Sequence, residues 1–370
     1  MRWLLIISIL AFSQAHAQRL RDYGVEIGIL PTGNLNAIVD VPGVAVGHTT
    51  LIEGDDVRTG VTAILLHQGN IFQQKVPAAI YIHNGFGKLA GISQVMELGN
   101  LETPILLTNT LSVPTTMNAV ISHTLSLPGN ENVRSVNALV GETNDGSLND
   151  IRGRHVKESH VLDAIKGASI TNTQEGNIGA GTGTRCFGYK GGIGTSSRKL
   201  PSTLGGYTIG VMVQTNFGGV LEIAGVPIGK LMDNYPFKSA LEKSDGSCMI
   251  VVLTDAPLGA RNLERLAKRA SMGLAKTGGI ASNGSGDYVI AASTNEQVRI
   301  PYKMEEREIS FPTLHNDAMS SLFLATIEAT EEAILNSLFA AETMTGNGRT
   351  VEALPKEEVL QLLKEYGRLD

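Results

Sequence analysis

Apolar and polar positions alternate along this chain in short β-branched runs cut by turn residues, and helical spacing dominates only toward the C-terminus. Runs at 44–48, 61–66, 76–82, 104–110, 136–140 and 206–215 are rich in Val, Ile, Leu and Thr and read as sheet strands. Residues 220–228 read as a further strand, interrupted by Pro227. The sharpest boundary falls at Ser247. A polar, acidic stretch (Glu242, Lys243, Ser244, Asp245, Gly246) gives way there to Cys248, Met249, Ile250, Val251, Val252 and Leu253. An apolar run bounded by turn residues predicts a buried strand with Ser247 as its first residue.

Helical spacing predicts segments at 89–98, 112–125 and 156–165. After Pro257, Leu263, Leu266, Ala267, Ala270 and Leu274 recur at helical intervals, and Thr277-Gly278-Gly279 supplies a C-terminal stop. A strand follows at 287–294, then a helical stretch at 314–341 that is apolar on more than one side. A last helix begins after Pro355. Sheet faces covered by helices give an α/β layered architecture.

The first seventeen residues stand apart from this pattern. Met1 and Arg2 precede an apolar run to Phe12, and Ala15-His16-Ala17 has the small-x-small form that a signal peptidase recognises. This predicts a secretory signal removed before Gln18 and an exported, periplasmic or secreted, protein without a membrane span. Removing 1–17 takes away one basic residue, Arg2, and no acidic one, so the net charge moves from -6 to -7. So mild a charge argues against nucleic acid as the main partner. The two cysteines, Cys186 and Cys248, lie in apolar or glycine-rich sequence and read as free buried thiols. No Pro/Ser-rich linker or repeat divides the chain, so 18–370 reads as a single domain.

Candidate chemistry gathers at strand ends. Asn84 follows one predicted strand, Glu142 and Asn144 another, Asn216 a third, and Ser285 and Asp287 stand at the mouth of a fourth. Taken one at a time, each also reads as a solvated loop or a strand cap. Residues 175–194 hold eight glycines, which predicts backbone passing close to another segment or a ligand. They have neither the preceding strand of a dinucleotide loop nor a phosphate-loop Gly-Lys-Ser/Thr ending. His-Glu-x-x-His and Gly-x-Ser-x-Gly are both absent. A remaining route to amide hydrolysis is an N-terminal nucleophile. If the Gly246–Ser247 bond were cut, Ser247 would carry both a hydroxyl and an α-amine, whose ordinary pKa of about 7.7–8.0 suits a general base.

Six segments in order carry a resemblance: 40–48 (DVPGVAVGH), 141–146 (GETNDG), 148–150 (LND), 191–198 (GGIGTSSR), 245–247 (DGS) and 254–257 (TDAP). Together they resemble the DmpA/BapA family of L-aminopeptidase/D-esterase and β-aminopeptidase enzymes, the S58 peptidases. The resemblance spans essentially all of 18–370. It implies an αββα sandwich resembling the N-terminal-nucleophile hydrolases. It also implies a precursor that cuts itself into an α fragment (18–246) and a β fragment (247–370), and a homotetramer of such αβ units. By motif match Ser247 is the nucleophile, Asn216 the oxyanion donor, and Ser285 with Asp287 the pair that orients Ser247. Glu142 receives the substrate's amino group, with Asn144 beside it, and no cofactor or metal is required. The substrates implied are small peptides or amino acid amides, with D-amino acid esters or non-peptide amides as the alternative. An unprocessed exported binding protein on the same scaffold is a further alternative. One departure is visible: the family's active-site tyrosine near Glu142 has no counterpart, since no tyrosine lies between Tyr81 and Tyr189.

Overall fold

The computed structural model describes residues 19–172, 174–236 and 246–369. The export signal read at 1–17 and the acidic turn at 242–245 lie outside the described residues. Two sheets face each other. The first runs in the order Ala45–Glu53, Val57–Leu65, Ile105–Asn109, Leu139–Thr143 and Leu89–Ala90. The second has the order Ile193–Lys199, Thr208–Asn216, Ser247–Thr254, Gly286–Ser293, Gln74–Gly85 and Ile300–Pro301. Ser247–Thr254 pairs antiparallel with Thr208–Asn216 and parallel with Gly286–Ser293.

Successive side chains of a strand point to opposite faces, and the central strand fills two cores by this rule. Met249, Val251 and Leu253 enter the core between the sheets, beside Ile105, Leu107 and Leu139. Cys248, Ile250 and Val252 enter the core under helices Ala260–Lys276 and Ser320–Phe339, beside Leu266 and Ala329. Burial on both faces explains why 248–253 is continuously apolar instead of alternating. A third core lies between the first sheet and helices Val113–Ser126 and Glu158–Lys166, where Val61, Ala63 and Val140 meet Val120 and Val161. The layering is therefore the αββα sandwich expected from the resemblance. Among the described residues, no helix is long and apolar enough to cross a membrane. Cys186 and Cys248 are both free and buried, as expected, and burial raises both thiols, Cys186 to about 12.

Several predicted elements are corrected. Residues 220–228 do not form a strand. Ala224 (φ 50) and Gly225 (φ 78) fold the chain back so that Ile223 bridges Val226, and the one-turn helix Ile228–Leu231 follows. The helix predicted at 89–98 is shorter because Gly91 takes φ 85. Leu89–Ala90 instead pairs with Val140 and Gly141 as a sheet edge, and the helix covers Ile92–Leu98. The strand predicted at 136–140 begins at Leu139 and runs to Thr143, which puts Glu142 inside it. The glycine-rich run packs against backbone, as predicted: a Cβ on Gly192 would lie 2.0 Å from the Gly176 carbonyl oxygen, and one on Gly194 2.0 Å from that of Ala333.

The 314–341 stretch starts with a 3-10 turn, Asn316–Met319, and becomes α-helical at Ser320. Its apparent all-round apolarity hides an ionic seam. Fully buried Arg198 reaches Glu328 at 3.1 Å and Glu332 at 2.6 Å, one helical turn apart, and Arg21 reaches Glu332 at 2.7 Å. The two guanidiniums hold the Glu332 carboxyl below its usual range against the opposing effect of burial. Removing one partner of such a buried pair leaves an uncompensated charge, which typically costs about 3–5 kcal/mol. Arg198→Ala should lose stability on that scale in denaturant unfolding; a loss under about 1 kcal/mol, the ceiling for a surface ion pair, would show that the seam is hydrated and weak.

Candidate active site

Three strand ends meet at one level. Asn216 is the register partner of Ser247 on one side, and Gly286 is its partner on the other. Ser247 is 7% exposed, and its Oγ donates to the Gly246 carbonyl oxygen at 2.5 Å. The Gly286 N–H points at the same place, 3.2 Å from the Gly246 oxygen and 3.4 Å from Ser247 Oγ. A hydroxyl is thus held against the carbonyl of the preceding peptide while a backbone donor polarises that carbonyl. Both glycines are required by space. A Cβ on Gly246 would lie 2.8 Å from Phe217 Cα, and one on Gly286 would lie 2.1 Å from the Phe86 carbonyl oxygen.

Asn216 is oriented from behind. Its Oδ1 accepts the Arg185 backbone N–H at 3.1 Å. Only the carbonyl end of the amide can accept, so Nδ2 is the end left to donate. Ser285 Oγ donates to Asp287 Oδ1 at 2.8 Å, and Asp287 Oδ2 is buried without a hydrogen-bond partner among the described residues. Burial raises the Asp287 carboxyl above its usual range, against the opposing effects of Ser285, His83 and the Cys248 backbone. The pair sits beside Cys248, the register partner of Asp287, and among the described residues makes no hydrogen bond to the Ser247 hydroxyl.

A cavity of about 440 Å³ opens at these strand ends and is lined by Ser247, Gly246, Asn216, Glu142 and Asn144. Glu142 is buried. Its Oε1 accepts the Lys88 backbone N–H at 3.0 Å, and its Oε2 accepts the Thr110 hydroxyl. Asn144 is exposed, with its Oδ1 occupied by the Gly146 N–H at 2.9 Å. Five residues predicted separately from sequence therefore share one cavity. Ser285 and Asp287 are buried and do not line it.

Asn84 does not line it. Its side chain donates to the carbonyls of Ser282, at 2.9 Å, and Ser285, at 2.5 Å, and so fastens the loop that carries Ser285. Asp145, next to Asn144, is buried among polar side chains of Thr59, Asn109 and Asn149, and desolvation raises it to about 6. Where the family's tyrosine is missing, Ser147 lines the cavity with a hydroxyl that has no hydrogen-bond partner among the described residues. Tyr288 supports the same wall from outside, its hydroxyl donating to the Gly87 carbonyl at 3.2 Å, and it lines a neighbouring cavity with Ile82 and Val113. Thr110, Arg185 and Arg349 also line the site and were missed from sequence. Each is a single polar residue in a segment without a motif.

Known proteins resemble this chain over most of its length. The model of peptidase family S58 matches residues 36–351. Beta-peptidyl aminopeptidase BapA of Sphingosinicella microcystinivorans is 40% identical, covering 96% of this chain and 94% of its own. A Burkholderia sp. beta-aminopeptidase structure superposes with a TM-score of 0.88 at 39% identity, covering 95% of this chain and 99% of that one. The L-aminopeptidase D-Ala-esterase/amidase structure from Ochrobactrum anthropi superposes with a TM-score of 0.87 at 35% identity, again covering 95% and 99%. That protein is described as a prototype for the serine aminopeptidases and a variant among the Ntn-hydrolase folds, and the present chain has the same mixed α/β fold.

Gly286 offers a test of the geometry. A methyl group there must move the Phe86 carbonyl by about 1 Å to reach an ordinary contact, and a misplacement of that size costs roughly 100-fold in rate. Gly286→Ala should keep a native circular dichroism spectrum and lose amide hydrolysis on that scale; near-normal rates would show that the register at Ser247 tolerates the shift.

Proposed function

The chain belongs to peptidase family S58 and is a self-processing serine aminopeptidase of small peptides, and from that premise we propose which residues act and how. The observation that carries the proposal is the Ser247 hydroxyl 2.5 Å from the Gly246 carbonyl oxygen at the head of a fully buried strand. In maturation, Ser247 Oγ bonds to the Gly246 carbonyl carbon as the C–N bond breaks, and the hydroxyl proton passes to the departing Ser247 nitrogen. Water then hydrolyses the resulting ester. This leaves the Gly246 carboxylate at the end of the α fragment (18–246) and a free amine on Ser247 at the start of the β fragment (247–370). The Gly286 N–H faces the carbonyl oxygen on which charge develops.

In turnover, the Ser247 amine accepts the hydroxyl proton while Oγ attacks the first amide of the substrate. Asn216 donates through Nδ2 to the developing oxyanion, the leaving amine takes up the proton, and water releases the acyl group. Glu142 pairs with the substrate ammonium. An internal peptide bond offers no such cation, so this pairing favours removal of N-terminal residues. Asn144 borders the acyl group. Ser285 holds Asp287, whose carboxylate lies one residue from the new amine and stabilises its protonated form.

The two BapA relatives are beta-peptidyl aminopeptidases, which supports β-amino acids as the acyl class here. The Ochrobactrum protein supports D-alanyl esters and amides as the alternative. A panel of β-, α- and D-amino acid amides separates these classes. Residues 1–17 support export. Exposed Met96 and Leu98 support burial in a homotetramer of αβ units, which sedimentation of the cleaved protein tests.

Intact mass after purification checks the maturation step. Two fragments meeting between Gly246 and Ser247 are expected, with a single uncut chain for Ser247→Ala; a wild-type chain that stays whole yet hydrolyses amides would remove the basis of the scheme. The pH profile checks Asp287. Loss of a nearby carboxylate makes an ammonium less stable, so Asp287→Asn should lower the amine's pKa and move the acid limb of kcat/KM to lower pH. An unmoved or upward-shifted limb in the cleaved variant would assign Asp287 no electrostatic part.

A further inference from the structure

Two arginines enter the catalytic cavity without a role in this scheme. Arg185 starts the short strand Arg185–Cys186 in the middle of the glycine-rich run, and its backbone N–H holds Asn216. Arg349 starts the strand Arg349–Val351, the second arm of a hairpin with Met344–Gly346. That hairpin is fastened at its tip and its first arm. The Asn347 N–H donates to the Asp55 carbonyl at 2.9 Å, and Arg58 Nε donates to the Thr345 carbonyl at 2.8 Å. The two guanidiniums are thus delivered by separate, anchored segments to one cavity.

Among the described residues neither guanidinium makes an ion pair or a side-chain hydrogen bond. Among the described residues Glu142 is the one carboxylate side chain lining the cavity, and the Lys88 N–H and the Thr110 hydroxyl already engage it. Both arginines are exposed to solvent at the cavity, and the partial desolvation there, followed by the like charge of Arg349, draws Arg185 below its ordinary value. Two cations that line one cavity, neither paired with an anion among the described residues, form a recognition site for one, because a guanidinium presents a planar fork that matches a carboxylate.

We propose that Arg185 and Arg349 form a carboxylate subsite on the leaving-group side of the scissile amide, so that free dipeptides are preferred over their amides and over longer peptides. The proposal rests on the reading of Ser247 as nucleophile and Glu142 as ammonium acceptor. With those two fixed, a dipeptide carries its carboxylate about one residue, ~3.8 Å, beyond the amide under attack. A cavity of about 440 Å³ suits a ligand of that size. A third residue carries the carboxylate the same distance, ~3.8 Å, further from the amide under attack.

The test compares three substrates sharing the acyl residue that the amide panel favours: its alanine dipeptide, the alaninamide of that dipeptide, and the corresponding aspartic acid α-amide. Charge-assisted hydrogen bonds predict that the free dipeptide exceeds its amide in kcat/KM by roughly 10- to 100-fold, mostly through KM. The ratio should fall with added salt and collapse toward one in Arg185→Gln and Arg349→Gln. Arg349→Lys should keep part of it. An unchanged ratio in both Gln variants overturns the proposal. So does an equal loss on all three substrates, which would assign the arginines to the Gly246 carboxylate of the α fragment. An aspartic α-amide cleaved as well as the free dipeptide would mean that an acidic side chain is read instead, and the dipeptide preference would fall. Failure of cleaved wild-type protein to hydrolyse any of the three would overturn the Ser247 reading itself, a result distinct from loss of the preference alone.

Discussion

The structure depends on the register of three adjacent strands, Thr208–Asn216, Ser247–Thr254 and Gly286–Ser293. That register aligns Asn216, Ser247 and Gly286 in a row. The central strand is buried on both faces, so each of its side chains resists withdrawal. Burying a Val, Leu, Ile or Met side chain contributes about 1.5–3 kcal/mol. Fixing one residue's backbone costs about 1–2 kcal/mol. The six residues Cys248–Leu253 are all buried. Their burial outweighs the freedom Ser247 would gain on becoming a chain terminus. A cut before Ser247 therefore leaves its hydroxyl and amine where the ladder put them. The same cut in mid-strand would sever the ladder.

Close backbone approach is the second condition. The Phe86 carbonyl passes where a Cβ of Gly286 would stand, and Phe217 passes where a Cβ of Gly246 would stand. The loop that closes over Gly286 is the one whose Lys88 N–H holds Glu142. One passage of chain therefore borders both Glu142 and the Gly286 register beside Ser247.

Much of this was legible in the sequence because the central strand leaves an unambiguous trace. An uninterrupted apolar run after Gly246 has few interpretations, and the ordered motifs gathered five cavity residues that no local pattern connects. Periodicity failed where one backbone angle overruled composition. Residues 220–228 are apolar enough for a strand, yet positive φ at Ala224 and Gly225 reverses the chain. Gly91 cut the helix predicted at 89–98 in the same way. Glu142 was recognised by motif but placed in a loop, because a buried carboxylate in a strand is improbable until its partners Lys88 and Thr110 are seen. Arg185 and Arg349 left no trace. Their common destination is set by tertiary contacts of a glycine run and a hairpin far apart in the chain.

The glycine run itself shows how a segment of poor intrinsic order becomes a rigid support. Each glycine costs roughly 0.5–1 kcal/mol relative to alanine in a regular element, and residues 175–194 contain eight. The opposing contribution comes from buried hydrogen bonds, each worth about 0.5–1.5 kcal/mol net. Lys190 Nζ bonds the carbonyls of Gly181 and Gly191, at 3.1 and 2.7 Å, and so ties the first half of the run to the second. Gln214 Nε2 bonds the Ala180 carbonyl at 2.8 Å, and Glu175 accepts the Thr195 N–H at 2.7 Å. Burial lowers the Lys190 ammonium to about 7, so near neutral pH it stands close to the limit at which a proton can be kept there. The arrangement persists because substitution by any larger residue would collide with backbone: a Cβ on Gly183 would lie 2.1 Å from the Arg58 carbonyl oxygen. Arg185 emerges two residues later, so its backbone, and with it the orientation of Asn216, is fixed by packing that only glycine permits.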